Sequence, residues 1–584
     1  MSKLNVDQQT IVRLFSDSKS DFLIPDYQRP YAWGIDQCKT LWEDIFAFAF
    51  PDGNANGFNS KTDEYYLGPI VTFKNEKEQR EIIDGQQRLT TLMLMLRAFY
   101  SRFDVATDVD SKDMKSLLAK CIWKTDELDR PQFNELKINS EVATDNDKDE
   151  FLQILKDGVV KPSYKSQYAE NYRYFEGVID DFIRRYALSG TCPLLPARIL
   201  KNCILLPIEA DKQDTALRIF STLNDRGLPL SDADIFKAQF YKYYSKTGRK
   251  DEFIKRWKAL EDLSNNLFHP IYGTPMDELF TRYMYYLRAL QGNKSSTTEA
   301  LRKFYERNKY EILSKDETLS NLEELAEFWK DVSNQDTDRF SEKVLRQLFV
   351  LNYAPNGMWY YFVTVYFMHN KDENGCLDNE RFYSFLKLII AFIWTYAVTN
   401  PGVNALRTPI YAEMINIVND KAVDFRDFRF EPKTLESMFG NYVFSNNRAI
   451  TRSMLAWWAL YDENQTLLSL ETVFEIEHIY ARKRQELNNS VVDRKTVELL
   501  GNKSLLEKRI NIRASDYRFA DKKKYYLGFE RKNQSKVGTN IYELQNLAKE
   551  LNDFEKVDIE QRNANIISSF INFLGENNLL IKDE

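Results

Sequence analysis

The stretch Glu81-Ile82-Ile83-Asp84-Gly85-Gln86-Gln87-Arg88-Leu89-Thr90-Thr91-Leu92 limits the fold more than any other part of the chain. An apolar pair ends in Asp-Gly, polar residues follow, and an apolar run continues to Leu96. The pattern predicts a short strand, a tight loop and a helix N-terminus. Gly85 lets the backbone turn where a Cβ would clash. The first helical turn offers unpaired N–H groups and a positive dipole end. Arg88 adds a planar cation suited to phosphate, and Asp84 an acceptor for a ribose hydroxyl or a hydrated ion. The loop is therefore a candidate phosphate site. Spacing alone is equally met by a charged strand-to-helix turn that binds nothing.

Around this stretch, Val6 to Phe15 and Asp36 to Phe46 read as helices, and Tyr27 to Trp33, with Pro30 inside it and Pro25 just before it, as an extended loop. Tyr65 to Phe73 and Arg80 to Ile83 read as paired strands about a polar turn. Thr107 to Ser163 is weakly periodic, a helical insertion with loops, and Ser166 to Tyr186 is a long helix. Cys203 to Ile208 is a short strand, and Asp234 to Tyr244 a closing helix. From Asp251 to about Asn447 apolar residues recur at i, i+3, i+4 without a fixed repeat, predicting a helical array. The expected domains are 1–245 with an insertion at about 105–200, 246–447 and 448–584. The fold class is α+β, predominantly helical.

Five scattered cysteines without Cys-x-x-Cys point to neither a disulfide framework nor a zinc ribbon. Met1 to Asn5 lacks the start of a signal peptide. Phe385 to Val398 contains Lys387 and is shorter than the roughly 20 residues a bilayer needs, so it reads as a buried helix. A cytoplasmic location and no membrane partner follow as expectations. Net charge is −7, yet His478 to Val537 holds 16 Lys/Arg against 7 Asp/Glu. A basic block in an acidic chain marks a confined polyanion site.

Inside that block, Val473-Phe474-Glu475-Ile476-Glu477-His478-Ile479 reads as a strand ending in a carboxylate-imidazole pair. Leu499-Leu500-Gly501-Asn502-Lys503-Ser504-Leu505-Leu506 reads as a Gly-Asn turn entering a second strand, and Arg509 to Lys523 as one helix. In such a ββα unit one carboxylate, one imidazole and two carboxamides can converge on an ion. A neutral imidazole takes a water proton near pH 7. Mg²⁺ or Mn²⁺ on oxygen ligands stabilises the phosphate and the leaving group.

Asp84-Gly85-Gln86-Gln87-Arg88 resembles the signature of the N-terminal domain in GmrSD-type restriction endonucleases, modification-dependent (type IV) phage-defence enzymes related to SspE-like effectors. Ile24 to Trp33, Tyr66 to Ile70 and Phe220 to Asp234 resemble the family's other N-terminal motifs, in order. The resemblance implies a ParB-like α/β domain that binds and in some members hydrolyses a nucleoside triphosphate. Its binding residues here would be Gln28, Arg29, Asp84, Gly85, Gln86, Gln87, Arg88, Thr90, Asn224 and Arg226. There is no Walker A loop.

The order Glu-His, Gly-Asn, Asn resembles the family's C-terminal His-Asn-His (HNH-type) nuclease module. It implies His478 as general base, Asn502 orienting it, and Glu477 and Asn511 holding the metal. Lys503, Lys508, Arg509, Lys522 and Lys523 would contact DNA. The chain departs from the family in Tyr480-Ala481 where Pro is common, in Lys503 where Leu is common, and in Asn511 where the third histidine would stand. The implied function is a nucleotide-regulated, metal-dependent DNA endonuclease of anti-phage defence that restricts modified DNA. A second copy of the chain or a partner defence protein is left open. The competing readings are a nucleotide-driven switch or toxin acting on RNA or unmodified DNA, and a non-enzymatic scaffold.

Overall fold

The helix Gln86–Phe103 is the centre of the N-terminal part, and its burial shows why. Leu89, Leu92, Met93, Leu94, Met95, Leu96, Ala98 and Phe99 are all 0% exposed, so the helix is apolar on every side rather than on one stripe. It packs against the helices Gln167–Tyr186 and Val109–Ile122 on one side and the sheet on the other. The computed structural model describes residues 5–103, 108–142, 145–212, 215–216, 219, 231–295, 297–402, 404–487, 492–531 and 534–581. The fold is α+β and predominantly helical. It divides into two units, Met1–Lys258 and Ala259–Glu584.

In the first unit a mixed sheet is built from β1 (Asn5–Val6), β2 (Gln9–Thr10), β3 (Phe22–Ile24), β4 (Tyr65–Lys74), β5 (Arg80–Asp84), β8 (Ile138–Ser140) and β9 (Cys203–Ala210). Its order is β1-β9-β4-β5-β3-β8, with β2 also on β9. β4 runs antiparallel to β5 and parallel to β9; β3 is parallel to both β5 and β8. The expected helix over Val6 to Phe15 is cut back to Ile11–Ser16, because the residues before it are claimed by the edge of β9. The insertion also contributes strands the sequence pattern did not predict: β8 in the main sheet, and a hairpin of β6 (Trp123–Thr125) and β7 (Pro131–Leu136).

The second unit holds the helical array and the C-terminal module. The apolar stretch expected to be short is a 21-residue helix, Asn379–Thr399, long and apolar enough to cross a membrane by composition. Its most apolar window is 61% buried against the helices Glu342–Leu351, Ala449–Ala459 and Lys556–Glu576, which accounts for its hydropathy. Beyond it, β10 (Phe474–His478) pairs antiparallel with β11 (Lys503–Glu507). The helix expected over Arg509 to Lys523 is two helices, Lys508–Ala514 and Phe519–Leu527, parted at Ser515 with φ +44°. The turn before β11 is clamped from the C-terminal helix: Arg562 donates to the carbonyls of Leu500, Gly501 and Lys503 at 3.1, 2.9 and 2.8 Å. A Cβ at Gly501 would meet the Ile559 carbonyl at 2.0 Å, so only glycine admits this approach.

Candidate functional sites

In the first unit, β5 runs into the Gln86 helix through Gly85, whose φ is +92°. Arg88 lies across Gly68, where a Cβ would stand 3.0 Å from its guanidinium, and donates to the Pro69 carbonyl at 2.9 Å. Asp84 sits beside it. Burial raises the Asp84 carboxyl, against the pull of the Gly85 N–H, Arg88 and Arg29; burial likewise lowers Arg88. Arg29 is half-buried beside Asp84, and its guanidinium makes no hydrogen bond or ion pair among the described residues. Two cations and one carboxylate thus gather at a helix N-terminus, an arrangement suited to a phosphate chain.

The three glutamines do something other than the role expected of them. Gln28 Nε2 donates to the carbonyls of Ile82 and Ile83 at 3.2 and 3.1 Å. Gln86 Nε2 donates to the Arg29 carbonyl at 3.0 Å. Gln87 accepts from the N–H groups of Ala32 and Trp33 and donates to the Pro30 carbonyl. Their side chains lash the loop 28–33 to β5 and the helix, and so position Arg29. Thr90 is buried at 2% exposure, while its neighbour Thr91 holds the Tyr31 hydroxyl at 2.7 Å. Asn224 and Arg226 lie outside the described residues.

In the second unit, strand alternation decides what can meet. Glu475 and Glu477 point to one face of the hairpin; His478 points to the other, beside its cross-strand partner Lys503. On the first face Glu477 is 3% exposed, and its Oε1 accepts from Lys522 Nζ at 2.7 Å and the Tyr526 hydroxyl at 2.6 Å. Lys522 also donates to the His478 carbonyl at 2.6 Å. Asn511 turns its Nδ2 to Glu475, at 3.0 Å, not to Glu477. The expected Glu477–Asn511 metal pair is therefore not assembled, and a buried ammonium already neutralises Glu477. Among the described residues no three His, Cys, Asp or Glu converge as a metal site. The residues as placed do not fit a divalent ion between Glu477 and Asn511.

On the other face His478 is mostly buried, with its Nε2 out of contact with solvent and without a hydrogen bond. Among the described residues the nearest carboxylate oxygen is Glu498 Oε2 at 3.9 Å. Lys503, fully buried, holds that oxygen at 2.9 Å and is itself anchored on the Phe444 carbonyl at 2.7 Å. Arg482 reaches the other oxygen at 2.9 Å with its side chain 55% exposed. Burial, then the cations Lys503, Arg482 and Lys522, push His478 down to about 4 against the opposing Glu498 charge. The imidazole is neutral at pH 7, the state a general base needs.

Asn502 does not reach the imidazole. Its Oδ1 accepts from the Tyr480 N–H at 2.7 Å, and its Nδ2 donates to the carbonyls of Tyr480 and Val497. The expected orienting residue instead pins the backbone that follows His478. Of the expected DNA-contacting cations, Lys503 and Lys522 are buried in ion pairs and face no solvent. Lys523 is half-buried with its ammonium on the Leu551 carbonyl; Lys508 and Arg509 are exposed. Glu498 and Arg482 were missed in the sequence because they stand in no motif and meet His478 only through folding.

Family models describe the same two regions. The GmrSD restriction endonuclease N-terminal domain matches residues 11–241, and the GmrSD restriction endonuclease C-terminal domain matches residues 431–569. The chain belongs to the GmrSD restriction endonuclease family. It is also 24% identical over 322 residues to the uncharacterized protein MJ0686 of Methanocaldococcus jannaschii, matching 51% of each chain. The chain thus spans about half the length of that curated relative.

Proposed function

We propose that this GmrSD-family chain is a DNA endonuclease of phage defence, acting in the cytoplasm, whose cutting is governed by a nucleoside triphosphate bound in the first unit. The observation that carries the reading is the neutral, nearly enclosed His478 in a basic module that matches the family's C-terminal domain. In this reading His478 takes a proton from the attacking water, and Arg482, half-exposed beside it, faces the phosphate. Arg29 and Arg88 hold the triphosphate over the N-terminus of the Gln86 helix. A need for Mg²⁺ or Mn²⁺ is also proposed, although Glu477 and Asn511 as placed pair with Lys522 and Glu475 rather than with each other.

The test is cleavage of modified and unmodified phage DNA, and of RNA, with each nucleoside triphosphate, in Mg²⁺ or Mn²⁺ and again with chelator. His478→Ala is expected to lower DNA cutting by about 10²–10⁴-fold while the protein stays folded. Undiminished cutting by that variant overturns the assignment. Cleavage confined to RNA would move the substrate class.

A further inference from the structure

We propose that Glu498 is the positioning residue of His478, accepting a hydrogen bond from its Nε2–H so that Nδ1 is turned to the substrate water. The inference rests on the nuclease reading above and deepens it.

Among the described residues, Glu498 is the carboxylate within 4 Å of the enclosed side of the ring. Nε2 is shut off from solvent and without a hydrogen bond, and Glu498 Oε2 lies 3.9 Å away. A small rotation of either side chain closes that gap to hydrogen-bonding distance. The carboxylate is kept near the ring: Lys503 Nζ donates to the same oxygen from within the core, and Arg482 forms an ion pair with the other. Asn502, the family-implied orienter, has both ends of its carboxamide committed to main chain. Nδ1, across the ring, makes no hydrogen bond among the described residues.

A neutral imidazole carries one proton. An ionised carboxylate facing Nε2 draws that proton to Nε2 and leaves the lone pair on Nδ1. When water attacks phosphorus, its proton goes to Nδ1 as the new P–O bond forms; the P–O bond to the leaving sugar oxygen breaks, that oxygen takes a proton from solvent water, Nε2 keeps its own proton, and Glu498 stays ionised. The imidazolium that forms then faces an anion, which favours the charged state only as it develops. Lys503 keeps Glu498 ionised: burial raises that carboxyl, but Lys503, His478 and Arg482 outweigh it and hold it below the usual value.

The chain has three histidines, so ¹⁵N-histidine labelling of the full protein gives few signals, and His478→Ala identifies the one in question. At pH 7.5 the His478 ring is expected as the Nε2–H tautomer. In Glu498→Ala the tautomer preference is lost, and kcat falls about 10–100-fold with KM for DNA unchanged; Glu498→Gln, which keeps an acceptor, restores part of both. An Nδ1–H tautomer in the unmodified protein overturns the proposal, as does a folded Glu498→Ala with unchanged tautomer and kcat. The tautomer needs no variant, so the proposal stays decidable even where the loss of Glu498 strands Lys503 and unfolds the module. It also needs no cutting: a protein that cleaves nothing yet shows Nε2–H retires the nuclease reading and leaves the pairing standing.

Discussion

Glu498 and Asn502 stand one turn apart in sequence, yet only Glu498 faces the imidazole. The difference follows from what each side chain is already doing, a matter of tertiary hydrogen bonds that residue type does not report. The same holds for Lys522, read in the sequence as a DNA contact and found inside the protein on Glu477. His478 has a depressed pKa of about 4, so its basic form survives as the pH falls toward that value. The acid limb of kcat/KM should therefore lie near pH 4, with little change between about pH 5 and pH 7; a limb at the ordinary histidine value of about 6.5 contradicts the burial argument. Lys522→Met leaves a buried carboxylate with only the Tyr526 hydroxyl. Denaturant unfolding should show a loss of about 3–5 kcal/mol. A change below about 1 kcal/mol would mean that water reaches Glu477 in place of the ammonium.

At the scale of elements, the β10–β11 hairpin carries two separate chemistries on its two faces, which adjacent residues Glu477 and His478 exemplify. Motif spacing brought them together on paper; a side-chain period of two sends them apart. The helices after β11 sort the basic block in the same way. Lys508, Arg509 and Lys524 are exposed, whereas Lys503 and Lys522 are turned inward. Charge reversal of Lys508, Arg509 and Lys524 should weaken DNA binding and flatten the dependence of log K on log salt by about 0.9 for each phosphate no longer neutralised. A slope equal to the wild type, measured by titration at several salt concentrations, would put the DNA on another surface.

For the whole molecule, the prediction joins the two units through function. A triphosphate can bias cutting only if it binds two states of the protein unequally. Arg88, pinned over Gly68 and beside Asp84, is the group to remove. Arg88→Ala should abolish triphosphate binding in calorimetry and change the cutting rate in the presence of nucleotide. Loss of binding with cutting unaltered under every nucleotide condition would show the two sites to be independent. Composition and hydrophobic period alone determined the helical class, the strand-loop-helix around Asp84-Gly85, the β10–β11 pairing and the placing of His478 in a basic module, because these depend on neighbours in the chain. Tertiary structure alone decided that β1, β2 and β8 join the sheet, that Gln28, Gln86 and Gln87 brace a loop, that Lys522 fills the place beside Glu477, and that Glu498 stands against His478. Each of those depends on which distant backbone or charge a buried polar group must satisfy, and a buried group takes the partner that folding brings to it.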